Sequence, residues 1–463
     1  MKISTYGLAF LLGATCLMGC NQGELKKETA AQFKVPVEYY KLDNGLKVIL
    51  SQDKTSPTTI VAVYYNIGFR IEPKNRTGFA HLFEHMMFQG SKNLGKMEFV
   101  KLVQENGGIL NGSTRFDFTN YFEIVPSHKL ETMLWAEADR MRGLDISQEN
   151  LTNQQGVVKN EVKVNVLNQP YGGFPWLDMP QYANTNWNNA HNFYGDLKDL
   201  DSANLEDVDS FFKTFYAPNN AALSVVGDFE LEETKAWIQK YFGDIPAAVL
   251  PPHPDISEPR QTEEKSFIKN DSLANKPAIA VAYHMPERNT PEYYAMGLLD
   301  QILLQGDNSM LAQKLEKEKG YTSNVSGGIN YLGNMFNYKG PMLWMYDLTY
   351  DKETSREEIL NAIADVTNDL KGKVSQDMID KAMVKIRSQL YDDIGGTFGL
   401  GRADLLCSFA LFDDRPERIN ELEDEFIKIT PEIMNKTIDG YLVDTNRTIL
   451  TVNPLLATND KAL

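Results

Sequence analysis

Cysteine is scarce in this 463-residue sequence, and two of its three cysteines, Cys16 and Cys20, fall within the first twenty residues. If that leading segment is removed, Cys407 has no partner for an intramolecular disulfide, so packing alone must stabilise the fold. Cys407 lies in the apolar stretch 405–411, which favours a small core residue over a nucleophile.

Basic residues are also under-represented. Lysine and arginine total 46 against 63 acidic residues, a formal charge of −17, which argues against a nucleic-acid partner. A solvated acidic surface is the simpler interpretation, and an acidic interior for basic peptides is the alternative. The 42% hydrophobic content excludes wholesale disorder, and the length predicts at least two domains.

The apolar run at residues 7–19 follows Lys2 and is too short to span a bilayer. It ends in Leu17-Met18-Gly19-Cys20, which resembles a bacterial lipobox. Cleavage after Gly19 would leave Cys20 as a lipid-modified N-terminus. An ordinary secretory signal is the alternative. Both predict export, and the lipobox predicts a lipid anchor on a bacterial membrane, facing the periplasm.

Strand and helix patterns occur twice along the chain. β-rich segments at 39–42, 47–50 and 59–65 precede a helical pattern from Thr77 to Gly90, and a strand at 278–283 precedes a helix at 291–304. Prolines interrupt the stretch between these halves. The sequence therefore predicts an α+β fold with two similar domains, each a mostly antiparallel sheet with helices packed on it. The expected boundaries are 1–20 for the lipoprotein signal peptide, 21–35 for a flexible tether, 36–244 for the catalytic domain, 245–264 for the linker and 265–463 for a metal-free second domain.

The pattern His81-x-x-Glu84-His85 lies within the first predicted helix. Residues four apart share a helix face, so both imidazoles can reach one metal ion. A catalytic zinc site needs a third protein ligand, and Glu161 on a second helical segment is the candidate. Glu84 would be the base that activates the attacking water. A histidine cluster satisfied within a core is the alternative.

These residues, with the segments quoted next, resemble the insulinase or pitrilysin family, which includes the mitochondrial processing peptidases. The resemblance spans the whole mature chain. It rests on the zinc motif and on Asp43-Asn44-Gly45-Leu46, Gly107-Gly108, Asn111-Gly112-Ser113-Thr114, Asn120-Tyr121-Phe122 and Val157-Val158-Lys159-Asn160-Glu161. It implies one zinc ion per chain, with Glu161 as the third ligand. It also implies that the edge strand containing Asn111, Gly112, Ser113 and Thr114 binds extended peptides. A covered edge strand is the alternative.

Two departures from the family pattern are informative. The family commonly has a glutamate where Gln154 stands, supporting a zinc-bound histidine from the second shell; glutamine adds no charge there and implies lower metal affinity. Active members also need an arginine and a tyrosine seven residues apart to stabilise the oxyanion, and Glu316 and Ser323 occupy those places here. Tyr321 is two residues early. The resemblance thus implies a heterodimer whose homologous partner supplies the missing pair.

Together these observations predict a zinc metalloendopeptidase that cleaves peptides or small unfolded proteins outside the cytoplasm. The alternatives are a non-catalytic scaffold and a peptide-binding lipoprotein of the same fold.

Overall fold

The computed structural model describes residues 34–396 and 399–455. The predicted signal peptide, Cys20 and nearly all of the predicted tether lie outside these described residues. The strands are β1 (Glu38–Lys41), β2 (Lys47–Gln52), β3 (Thr58–Tyr65), β4 (Ile109–Thr114), β5 (Thr119–Pro126), β6 (Ala221–Gly227), β7 (Lys265–Asp271), β8 (Ala278–His284), β9 (Ser326–Ile329), β10 (Leu343–Thr349) and β11 (Arg447–Pro454).

The helices of the first half are α1 (Phe79–Met86), α2 (Glu98–Glu105), α3 (Leu130–Arg142), α4 (Gln148–Val162), α5 (Asp178–Ala183), α6 (Trp187–Ala190), α7 (Leu197–Ser202), α8 (Leu205–Phe215) and α9 (Leu231–Phe242). Those of the second half are α10 (Pro291–Leu303), α11 (Met310–Ala312), α12 (Arg356–Leu370), α13 (Gln376–Gly395), α14 (Leu400–Asp413), α15 (Leu422–Ile427) and α16 (Pro431–Tyr441). Wider π-helical turns extend α4 over Lys163–Leu167 and α11 over Gln313–Glu318. No helix in this part of the chain has the length and apolar character needed to cross a bilayer.

The two sheets share one topology. The first has the strand order β1-β2-β6-β3-β5-β4 and the second β7-β11-β8-β10-β9. Strand β2 runs parallel to β6 in the first sheet, and β7 runs parallel to β11 in the second. The other neighbouring pairs are antiparallel. The α+β class with two mostly antiparallel sheets is therefore confirmed, and the repeated strand order supports an internal duplication.

Strand β3 shows why its sequence is apolar throughout. Val61, Val63 and Tyr65 pack into one buried cluster with α1 and α3. The alternating residues Ile60, Ala62 and Tyr64 belong to a different cluster on the opposite face. Since successive side chains of a strand point to opposite faces, a strand covered on both sides needs apolar residues at every position.

The opposite face of each sheet is covered by a helix from the other half. Helix α14 packs across β2, β3 and β6, and α5 packs on β7, β8 and β11. Cys407 is fully buried in α14, with its Sγ 4.0 Å from the carbonyl oxygen of Ala62, as expected for a core residue. Small residues at the contacts, Ala62 and Ala222 in one sheet and Ala280 and Ala282 in the other, let the helices approach closely.

The proline-rich stretch 246–264 contains no helix or strand. Side chains of the first half hold it in place. Asn186 Nδ2 donates to the carbonyl oxygens of Asp255 and Ser257 at 2.8 and 2.9 Å, and Asn189 Nδ2 donates to that of Ile256 at 2.9 Å. The domain boundaries assigned from the sequence remain predictions.

Candidate metal centre

The helix that carries the His-x-x-Glu-His pattern is shorter than predicted and begins differently. Helix α1 starts after Gly78, which adopts φ +83°, and ends at Met86. Thr77 is not its N-cap, because its hydroxyl donates to Asp199 Oδ2 at 2.6 Å. The buried carboxylate of Glu72 takes that place and accepts from the amides of Gly78 and Ala80 at 2.9 and 2.7 Å. A negative charge there also offsets the positive end of the helix dipole.

The helix places its two histidines side by side. His81 Nε2 and His85 Nε2 lie 3.3 Å apart, with His81 buried and His85 half-buried. Two facing imidazole nitrogens cannot both present lone pairs at this distance without repulsion unless a proton or a cation lies between them.

Glu161, on α4, completes the group. Its Oε1 lies 3.6 Å from His81 Nε2 and its Oε2 lies 3.3 Å from His85 Nε2. Bonds of about 2.1 Å at tetrahedral angles place neighbouring ligand atoms about 3.4 Å apart, so the three separations fit a zinc ion. Among the described residues no other three histidine, cysteine or acidic side chains converge in this way.

The electrostatics of the group suit a cation. Burial lowers the pKa of His81 below its ordinary value, which keeps the ring neutral and its nitrogen free to bind metal near pH 7. A hydrogen bond with His85 lowers the pKa of Glu161, and the Asn165 side chain adds to this effect, so the carboxylate is ionised. Two neutral imidazoles and one carboxylate form a typical donor set for catalytic zinc.

Glu84 projects toward the neighbouring edge strand. Its Oε2 accepts a hydrogen bond from Thr114 Oγ1 at 2.6 Å, and its charge raises the pKa of His81 against the larger effect of burial. The carboxylate is therefore oriented by β4 and lies beside the histidines, where a base acting on water would be needed.

Strand β4, which contains Asn111, Gly112, Ser113 and Thr114, is the last strand of its sheet and pairs only with β5 among the described residues. Asn111 is exposed and Gly112 and Ser113 are half-buried. The structure thus places the predicted peptide-binding segment on an edge strand next to Glu84.

Gln154 stands where the resemblance implies a residue that supports a zinc-bound histidine. It is buried on α4, but no hydrogen bond joins it to either imidazole. His81 Nδ1 is buried and has no hydrogen-bond partner in the described part of the chain.

Three residues near the centre were missed from the sequence. Tyr194 lies edge-on to His81 with ring centroids 5.4 Å apart. Asn165 follows Glu161 by four positions, a spacing that could have suggested it. No pattern in the sequence around Glu72 or Tyr194 indicates a role near the centre, because turns of the chain bring both residues to α1. A Cβ on Gly195 would lie 2.5 Å from Gly78 N, which shows how closely the Tyr194 segment approaches the helix.

Glu316 and Ser323, which stand where the family has its oxyanion-stabilising arginine and tyrosine, lie in different surroundings. Glu316 Oε1 accepts from the amide of Val325 at 2.9 Å, and Ser323 is exposed. Tyr321 packs against an apolar core to which both halves contribute.

Comparison with known proteins gives matches across both halves. The model of the insulinase family (peptidase family M16) matches residues 47–190, and that of the peptidase M16 inactive domain matches residues 202–385. The zinc protease PqqE of Helicobacter pylori is 24% identical over 422 residues, covering 89% of this chain and 92% of that protein. The bovine mitochondrial-processing peptidase subunit beta is 21% identical over 420 residues, covering 89% and 84%.

Solved structures share the fold. A protease from Helicobacter pylori has a TM-score of 0.83 at 23% identity. The match covers 91% of this chain and 100% of the protease. The periplasmic protease PqqL from Escherichia coli has a TM-score of 0.72 at 17% identity, covering 92% of this chain and 48% of that one. With both family models matched in order and the same two-sheet fold, the chain belongs to the insulinase family of peptidases.

Proposed function

We propose that this protein is a zinc metalloendopeptidase that cleaves peptides or small unfolded proteins outside the cytoplasm. The observation that carries the proposal is the convergence of His81, His85 and Glu161 at separations that suit one tetrahedral ion. Family membership and the neighbouring carboxylate of Glu84 support it.

The residues of the site divide the work. Zinc, when bound, supplies Lewis-acid polarisation of the substrate carbonyl and of the attacking water. Glu84 accepts the proton of that water and passes it to the leaving amine. Thr114 orients the Glu84 carboxylate, and the outer edge of β4, unpaired among the described strands, aligns an extended peptide by main-chain hydrogen bonds.

Zinc binding gives a direct test. We expect purified protein to hold about one zinc ion per chain, and Glu161→Gln to weaken zinc binding by about a hundredfold or more because it removes the only anionic ligand. Metal analysis and competition with a chelator measure both quantities. Glu105→Gln, an exposed carboxylate at the end of α2, is the matched control and should bind zinc like the wild type. Equal zinc affinity in the Glu161 variant would contradict the ligand assignment.

We further propose that the chain is the zinc-bearing subunit of a heterodimer. Glu316, committed to the Val325 amide, and exposed Ser323 stand where an arginine and a tyrosine are expected. A glutamate cannot stabilise an oxyanion, so a homologous second chain would have to supply the pair.

The two other functions of this fold make different predictions. A non-catalytic scaffold has no need of the ligand set, and a protein that only binds peptides has no need of Glu84. Metal content tests the scaffold alternative, and peptide hydrolysis by the Glu84→Gln variant tests the peptide-binding alternative.

We also propose that the protein is exported and held on a bacterial membrane by lipid at Cys20. The lipobox-like sequence at residues 17–20 motivates this. Wild-type protein should partition into detergent, and Cys20→Ser should release it into the soluble fraction, because one thiol carries the anchor. Phase partitioning followed by immunoblotting measures the distribution, with Cys16→Ser as the control. A wild-type protein in the soluble fraction would exclude the anchor.

A further inference from the structure

A cavity of about 400 Å³ lies against β4 on the side away from α1. Asn111, Ser113 and Arg115 line it from the edge-strand segment, and Leu400 and Asp404 line it from α14. Thr114, which contacts Glu84, faces the other side of the sheet. The edge strand therefore has the candidate metal centre on one face and this cavity on the other.

The hydrogen-bond pattern of the β4–β5 hairpin shows which groups face the open edge. The amide of Arg115 donates to the carbonyl oxygen of Phe118 at 2.8 Å, which makes 115 and 118 a hydrogen-bonded pair. Hydrogen-bonded and non-bonded pairs alternate in antiparallel sheets, so Gly112 and Thr114 turn their amides and carbonyls away from β5. A peptide added to this edge would pair with those two residues.

A peptide bound in this way must use both faces. Successive side chains of an extended peptide point to opposite faces of the sheet. If one side chain faces the metal centre, the side chains directly before and after it face the cavity. The cavity thus lies where a side chain next to the cleavage region of such a peptide would point.

Arg115 supplies the positive charge in the cavity. Its Nε donates to Ser113 Oγ at 3.1 Å, and the Ser113 hydroxyl donates to Asn120, so a chain of hydrogen bonds orients the guanidinium. Its two terminal nitrogens donate to no described residue, and within residues 34–396 and 399–455 no carboxylate forms an ion pair with it.

Asp404, the acidic residue of the cavity lining, accepts hydrogen bonds from other side chains through both of its oxygens. Its Oδ1 accepts from Tyr64 at 2.8 Å, and its Oδ2 accepts from Asn334 and Asn337 at 3.1 and 3.2 Å. Burial raises the pKa of Asp404, and the charge of Arg115 in the same cavity opposes that shift. No hydrogen bond or ion pair joins the two side chains among the described residues, so the two terminal nitrogens of Arg115 can bind another carboxylate.

We propose that Arg115 is a specificity-determining residue that selects substrates with an aspartate or glutamate side chain at the position facing this cavity. The inference rests on the proposed peptidase function and names its substrate class. Arginine binds carboxylates in a planar two-bond arrangement, and a charge-assisted contact to the half-buried Arg115 would favour the acidic over the amide side chain by about tenfold.

The test uses peptides that differ only by glutamate or glutamine, placed in turn at each position from three before to three after the cleaved bond. The full chain, with its partner subunit if one is required, is assayed for kcat/KM on each pair. At one position, or at two positions separated by one residue, wild type should favour glutamate by about tenfold. Arg115→Gln should bring that ratio to about one, and Arg115→Glu should favour lysine over glutamine there.

Two controls sharpen the result. Arg142→Gln removes an arginine that pairs with Asp244 elsewhere and should keep the wild-type ratio. Peptides amidated at the C-terminus should show the same preference, because the two peptides of each pair share the terminal group and the proposed ligand is a side-chain carboxylate. Loss of the glutamate preference on amidation would overturn the proposal.

Binding measurements separate this inference from the proposed function. Fluorescence anisotropy on the Glu84→Gln protein compares glutamate and glutamine peptides without hydrolysis. If no peptide is cleaved but Arg115 still determines selective binding, the peptidase function fails and the subsite stands. If peptides are cleaved and neither rate nor binding depends on the acidic residue through Arg115, the subsite is wrong.

Discussion

Glu84→Gln is expected to lower peptide hydrolysis by about a thousandfold while zinc content stays at the wild-type level. Glutamine retains the shape of glutamate and can still accept the hydrogen bond from Thr114. It cannot take a proton from water, and general-base catalysis contributes about 10²–10⁴-fold to rates of this kind. Turnover of a fluorogenic peptide and metal analysis of the same sample measure both quantities.

The variant also separates catalysis from binding. Glu84 is not among the three residues that converge at the candidate metal centre, so it should change neither zinc affinity nor peptide affinity by a large factor. Glu105→Gln again serves as the matched surface variant. Unchanged hydrolysis in Glu84→Gln would remove the assignment of Glu84 as the base, and a wild-type protein that binds peptide without cutting it would support the binding-lipoprotein alternative.

The second large effect concerns the partner. The chain alone should cleave peptides slowly, and a homologous chain with an arginine and a tyrosine seven residues apart should raise kcat by about a hundredfold or more, since single oxyanion donors contribute about 10²–10³-fold. Reconstitution from separately purified chains measures the gain. Purification in mild detergent, followed by identification of any co-purifying protein of similar size, would find the partner.

The decisive control is a partner whose arginine has been replaced by alanine. It should still associate but give little acceleration. Full activity of the present chain by itself would contradict the heterodimer, and a homodimer would not restore activity because both copies have Glu316 and Ser323 at those places.

Local patterns in the sequence predicted the parts of the molecule that depend on local physics. The apolar runs 59–65 and 278–283 gave β3 and β8, and the four-residue spacing of His81 and His85 placed both rings on one helix face. Glu161 was selected from the sequence because a catalytic zinc site would need a third ligand, and in the structure its carboxylate lies 3.6 and 3.3 Å from the two histidine nitrogens.

Features set by contacts between distant residues were not predicted. The start of α1 depends on the carboxylate of Glu72 and on the positive φ of Gly78, so the pattern beginning at Thr77 overestimated the helix. The cavity that Arg115 lines exists only because α14 packs beside the edge strand. Neither contact leaves a periodic pattern in the sequence from which it could be predicted.

The reciprocal covering of the sheets by α5 and α14 restricts how substrates can enter. A hinge within this chain would have to pull each helix off the apolar sheet face that it covers, exposing both faces to water at a high free-energy cost. The described residues from 35 onward, 35–396 and 399–455, accordingly form one compact unit. In the proposed heterodimer, a motion that admits a peptide would therefore open the seam between the two chains rather than a cleft within this one, so the second chain would also control access to the site.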